Sequence, residues 1–233
     1  MRLLVVDTST EACSVALYVD GKVSERFVMA PAAHGRHVLT MIESLLGEAD
    51  VRLGALDGLG FCRGPGSFTG VRIAAAVVQG LALGLDLPVA PVSSLAALAQ
   101  GARRECGATN ILAGIDARMD ELYWACYRIG EDAAVALDGA EHVSAVQDVK
   151  VPDGQWWAVG SAWGVYGDRL TERFGGRLCG YVADRYPRAA DAAPLVAQAF
   201  RRGLTVTADA VAPVYLRDTV AVQGSDFRHR TSD

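Results

Sequence analysis

Asp7-Thr8-Ser9-Thr10, at the end of the apolar run Leu3–Asp7, sets a carboxylate beside three hydroxyls. That set of groups could hold a divalent cation and a phosphate, and Asp116 repeats the acidic position at the end of a second apolar run, 110–115. On that reading Asp7, Thr8, Ser9 and Asp116 would surround a magnesium nucleotide. Close phosphate contact calls for a glycine, whose missing side chain lets backbone amides reach the oxygens. Ser9 stands where that glycine is needed, and Glu11 close by would repel phosphate. Asp116-Ala117-Arg118-Met119 has neither glycine nor a hydroxyl pair, and Val159-Gly160-Ser161-Ala162-Trp163-Gly164 offers one Gly-Ser step before a bulky indole. A hydroxyl-lined strand end and a turn capped by Ser161 explain these segments without a ligand.

His34 and His37 are the next pair with metal-binding chemistry. Helical zinc ligands stand at i and i+4; the i, i+3 spacing can share a face, but no acid or cysteine nearby completes a shell. The expectation is a polar helix start at His34 and no metal. His142 and His229 have no evident partners. Ser67 has no Gly-x-Ser-x-Gly elbow and no identifiable base. The five cysteines (13, 62, 106, 126, 179) are odd in number and form no CxxC pair, so Cys13, Cys62 and Cys126 read as core thiols.

The 233 residues carry a net charge of −5, with 51% hydrophobic and 21% charged side chains. That is a well-cored chain, and a mild acid excess argues against a dedicated nucleic-acid binder. Arg103-Arg104 and Arg201-Arg202 are too short to overturn this. The first apolar run meets Asp7 too soon for a signal peptide, and the stretch Ile73–Leu87 is broken by Gln79 and Asp86, so a cytoplasmic protein is expected.

The elements that must position these residues follow from periodicity. Leu3–Asp7, Cys13–Tyr18 and Val23–Met29 read as a three-strand meander, with Asp20-Gly21 as a hairpin turn. A helix over His34–Glu48, a strand at Leu59–Cys62, a helix from about Thr69 to Leu85, a strand at Val89–Val92 and a helix to about Arg104 follow. The order β-β-β-α-β-α-β-α is that of a ribonuclease-H-like unit. A less regular second copy begins at Asn110, with strands at 110–115, 121–128, near 133–137 or 141–143, and 156–160, then helices from about Trp163 to Phe174 and over 187–202. The prediction is an α/β protein of two tandem lobes in the actin/sugar-kinase/heat-shock-ATPase architecture: 1–104 with the docking surface, a smaller 105–217, and a frayed tail over 218–233.

Arg63-Gly64-Pro65-Gly66-Ser67-Phe68-Thr69-Gly70 joins a strand directly to a helix. Such a turn could cradle an anion on the helix N-terminus or let the helix seat against another surface. Ala76, Gly80 and Gly84 form a small-residue stripe at i, i+4, i+8, flanked by Ile73, Val77, Leu81 and Leu85. This helix is apolar nearly all round, more than one buried face needs. The preceding helix adds His34, Val38, Met41 and Leu45, so the pair would make half of a four-helix bundle completed by a partner.

Four segments carry a resemblance over nearly the whole chain: Asp7 to Leu17, Gly64 to Ile73, Ile115 to Met119, and Pro213 to Arg217. In these the chain resembles the TsaB (YeaZ) family. The resemblance implies a bacterial protein needed to make N6-threonylcarbamoyladenosine in tRNA. It implies pairing with a catalytic paralogue, TsaD, which carries the metal and nucleotide, with the ATPase TsaE joining and TsaC supplying the activated intermediate upstream. It also implies that helices 34–48 and 69–85 bind the partner and mediate self-association when the chain is alone. The paralogue's His-x-x-x-His metal pair is one residue short here, at His34-x-x-His37. No catalytic residue, metal or cofactor of its own is therefore expected, with ATP and magnesium on partner subunits. Contact with tRNA would be weak or indirect, and with membrane absent.

Overall fold

Leu3, Leu4, Val5 and Val6 have no solvent exposure, as a strand covered on both faces must. They form the centre of β1 (Arg2–Asp7) in a computed structural model that describes residues 1–130 and 133–217. β2 (Ala12–Val19) and β3 (Lys22–Met29) complete the meander, with positive φ at Asp20 and Gly21, the geometry of a tight hairpin turn. α1 (His34–Glu48), β4 (Gly58–Cys62), α2 (Phe68–Leu85), β5 (Val89–Val92) and α3 (Ser94–Cys106) follow. The first sheet runs β3-β2-β1-β4-β5, with β1, β4 and β5 parallel and β2 antiparallel to both neighbours.

The second sheet repeats this succession as β10-β9-β6-β7-β8. Its elements are β6 (Asn110–Arg118), β7 (Glu121–Ile129), β8 (Val135–Ala145), β9 (Trp156–Val159), α4 (Ser161–Phe174), β10 (Leu178–Val182) and α5 (Ala189–Arg201). Where the first lobe has α1, the second has a single 3-10 turn at Val146–Asp148, so it is the smaller and less regular copy. The fold class is thus two tandem ribonuclease-H-like lobes of the actin-like architecture. β8 spans both expected third-strand positions as one strand. β10 was not anticipated, because Leu178-Cys179-Gly180-Tyr181-Val182 is short and half-exposed.

The packing crosses the expected boundary at 104. α3 lies on β6, β7, β8 and β9 of the second sheet, while α5 crosses back onto β1, β2, β4 and β5 of the first. The reason is written in β4. Leu59 and Phe61 face the core beneath α1 and α2, and the alternate positions, Gly58 and Gly60, leave the other face bare. α5 fills it: a β-carbon on Gly58 would stand 2.1 Å from Phe200 Cζ, and one on Gly60 would stand 2.4 Å from Val196 Cγ2. Val196 is wholly buried there, worth about 1.5–3 kcal/mol.

The first lobe also caps the incoming helix. Ala189 N–H donates to Ser14 Oγ at 2.8 Å, Ala190 N–H donates to Glu25 Oε1 at 3.1 Å, and Arg188 Nε donates to Glu25 Oε2 at 3.0 Å. A carboxylate on the first turn of a helix satisfies its free amides and its dipole. The tail 218–233, with His229, lies outside the described residues.

Candidate functional site

The glycine turn lies on the end of β1. A β-carbon on Gly66 would stand 2.1 Å from the Ser9 carbonyl oxygen, and one on Gly70 would stand 2.0 Å from that of Thr8. Ser67 N–H donates to Ser9 O at 2.7 Å, and Thr8 Oγ1 donates to Gly70 O at 2.7 Å. Ser67 Oγ caps α2 by accepting from Gly70 N–H at 3.4 Å. These glycines therefore serve backbone-to-backbone packing against the hydroxyl segment.

Asp7, Thr8, Ser9 and Thr10 are all buried as a result. Asp7 Oδ1 accepts from Ser9 N–H at 2.8 Å, while Oδ2, Ser9 Oγ and Thr10 Oγ1 have no partner. Burial pushes the Asp7 carboxyl up to about 7. The Cys62 thiol is raised well above its ordinary value, by burial first and the nearby Asp7 second. Asp116 stands in the second lobe and is engaged otherwise. Its Oδ1 accepts from Arg118 N–H at 2.9 Å and Tyr166 OH at 3.0 Å, and its Oδ2 pairs with the Arg118 guanidinium at 3.1 Å. Arg118 also reaches across the lobes to Glu11 at 3.0 Å. What remains between the lobes is a cleft of about 420 Å³ lined by Ser9, Thr10, Phe68, Asp116 and Tyr215 among others.

The two histidines do not converge. His34, expected at a polar helix start, is buried in the first turn of α1 with Nε2 unpartnered, while His37 is exposed. Among the described residues no three His, Cys, Asp or Glu side chains gather as a metal site. Cys13, Cys62 and Cys126 are buried, as their strand positions implied.

The helical face is different. α2 buries Gly70, Val71, Ala74, Ala75, Val78 and Ala82 against its own lobe. Ala76, Gly80 and Gly84 point to solvent, with Ile73, Val77 and Leu81 half-buried beside them. Nothing lies within 4 Å of where a β-carbon on Gly80 or Gly84 would stand, so this chain's own packing does not require glycine there. Leu83 is 76% exposed on α2, Leu39 54% on α1 and Phe68 59% at the root of α2. Large apolar side chains are thus held in water on adjoining helices. The sequence placed His34, Val38 and Leu45 on that surface. They are instead buried in the first lobe, and Met41 is half-buried. Leu39, Leu83 and Phe68 are the exposed apolar side chains there and were not among those expected, because a helix apolar all round does not reveal which side its sheet takes.

A strap over 204–217 braces this face from behind. Val206 bridges to Val89, Gln79 Nε2 donates to Ala208 O at 2.8 Å, and Val214 N–H donates to Arg63 O at 2.8 Å. Arg72 lies 3.3 Å above the Phe68 ring and 4.7 Å from that of Tyr215. Arg217 then hooks onto the second lobe at the Ala117 carbonyl, 3.2 Å away, and at Glu121.

A family model described as "TsaD: tRNA N6-adenosine threonylcarbamoyltransferase" matches residues 28–223. The tRNA threonylcarbamoyladenosine biosynthesis protein TsaB of Escherichia coli (strain K12) is 41% identical over 231 residues, covering 95% of this chain and 96% of the relative. Its namesake in Haemophilus influenzae is 36% identical, covering 94% and 95%. Among solved structures, YeaZ from Pseudomonas aeruginosa superposes with a TM-score of 0.87 at 46% identity, over 92% of this chain and 99% of that one. A second structure, an uncharacterised protein similar to peptidase YEAZ from the same organism, gives 0.87 at 45% identity over 93% and 99%. With such similarity along nearly the full length of sequence and fold, the chain belongs to the TsaB (YeaZ) family.

Proposed function

We propose that this chain is a non-catalytic subunit in the synthesis of N6-threonylcarbamoyladenosine in tRNA. Its α1/α2 face docks the catalytic paralogue TsaD and leaves room for the ATPase TsaE, while TsaC acts upstream. Alone, the same face pairs two copies. The chain needs no cofactor of its own, works in the cytoplasm, and leaves ATP, magnesium and the tRNA to its partners. The observation that carries this reading is the outward face of α2, where Ala76, Gly80 and Gly84 leave a groove beside exposed Leu83. A helix with small residues outward accepts another helix at close distance.

A magnesium-nucleotide transferase using Asp7, Thr8, Ser9 and Asp116 is disfavoured on the same geometry. Asp7 and Thr8 are buried beneath the glycine turn, only Ser9 and Thr10 of that segment reach the wall of the cleft, and Asp116 already has Arg118 and Tyr166. The test is reconstitution of tRNA modification with purified TsaD, TsaE and TsaC, with and without this chain. Gly80→Leu should abolish co-elution with TsaD and the modification while the lone chain melts normally. Full co-elution by Gly80→Leu would sink the docking face. A rise in melting temperature with millimolar Mg-ATP that Asp7→Ala erases would restore the enzyme reading.

A further inference from the structure

We propose that the second lobe sets the pose of the docking helix, through a buried polar cluster that ties the root of the glycine turn to β7 and β8. The proposal rests on α1 and α2 being the partner face. Arg63 immediately precedes Gly64, and its backbone is held twice: its N–H donates to Val92 O at 2.8 Å and its carbonyl accepts from Val214 N–H at 2.8 Å. Its side chain leaves the first lobe and pairs with Glu141 Oε2 on β8 at 3.2 Å. The other Glu141 oxygen accepts from Tyr127 OH on β7 at 3.3 Å. That phenol lies 3.4 Å from Ser93 Oγ, the residue that caps α3.

The Glu141 side chain is 8% exposed and Tyr127 is 2% exposed. A buried carboxylate held between a guanidinium and a phenol tolerates little displacement, because separating the charges leaves one of them unpaired. The strap makes a second tie to the same turn, since Val214 grips Arg63 while Arg217 is fastened to Ala117 and Glu121. Any movement of β7 and β8 relative to the first lobe is therefore carried into Gly64–Gly70, and from there into the direction in which α2 presents Ala76, Gly80 and Leu83. Linkage makes this reciprocal: a partner seated on α2 must in turn steady the Glu141 cluster. Arg63, Tyr127 and Glu141 are thus positioning residues, remote from the docking face.

Hydrogen–deuterium exchange on the full lone chain tests this, comparing wild type with Glu141→Gln and Tyr127→Phe. Exchange in peptides covering 63–72 should quicken about three- to thirtyfold, with affinity for TsaD falling by a similar factor, the range for coupling between separate sites. In an Arg63→Met background Glu141→Gln should add nothing further, whereas general loosening of the fold would add its full effect. If Arg63→Met does not fold, the cycle between Tyr127→Phe and Glu141→Gln makes the same distinction. Unchanged exchange at 63–72 in both single variants overturns the proposal, and so does quickened exchange with unaltered docking. Docking that survives Gly80→Leu overturns the partner face itself, so the two failures are told apart.

Discussion

The Ser9 carbonyl oxygen stands 2.1 Å from the point that a β-carbon on Gly66 would occupy. The turn that looks like an anion cradle is filled by the chain's own backbone, and it acts as the bed from which α2 rises. Gly66→Ala and Gly70→Ala must push β1 and the turn apart, and each should cost about 2–4 kcal/mol. Gly80→Ala meets open space and should stabilise the lone chain by about 0.5–1 kcal/mol, the ordinary gain in a helix interior. Urea unfolding of the three variants reads this contrast, and equal effects at positions 66 and 80 would contradict it.

Asp7 makes stability depend on pH in an unusual direction. Its carboxyl is raised from 3.8 to about 7 by burial, so between those values the folded chain holds a proton that the unfolded chain has released. Stability from this group is complete at low pH and is lost as pH rises towards 7. Asp7→Asn removes the dependence. Between pH 5 and pH 8 wild type should lose about 2–3 kcal/mol relative to Asp7→Asn. Paired denaturation curves at the two pH values measure it, and parallel behaviour would show that Asp7 ionises freely in the fold.

Leu83 is exposed enough for a charge to be accepted without disturbing the core. Leu83→Arg should leave the lone chain within about 0.5 kcal/mol of wild type. Co-elution with TsaD, and self-association at high concentration, should both be lost. Light scattering and calorimetry on the same preparation separate the two effects.

Glu25 reaches from β3 to cap α5 and pair with Arg188. Removing it leaves a guanidinium and a helix start without their carboxylate, which should cost about 3 kcal/mol. Glu25→Ala should also separate the melting of the lobes, visible in calorimetry as a broadened or split transition. A sharp, unshifted transition would mean that the remaining ties, the apolar contact of Val196 and Phe200 among them, join the lobes without Glu25.

Much of the framework was legible in the chain. The Asp20-Gly21 hairpin, the period of α1 and the glycine turn running straight into α2 are local patterns, and local patterns depend on residues near in sequence. The burial of His34 and the placement of α5 were not legible for the opposite reason. A histidine at a helix start looks polar until the sheet beneath it is known, and the apolar stripe of α5 says that it must be covered without saying by what.

By itself the sequence determined the two-lobed repeat, the absence of a phosphate glycine after Asp7, and a surplus of apolar surface on α2. Those are properties of composition and spacing. The tertiary structure alone decided that Gly66 and Gly70 receive Ser9 and Thr8, that α5 is laid on Gly58 and Gly60 of the other lobe, and that Leu39 and Leu83 are left in water. Periodicity ranks residues by their need to leave water, but only the packed fold chooses which surface meets that need. The face of α2 left over after that choice is the face proposed for a partner.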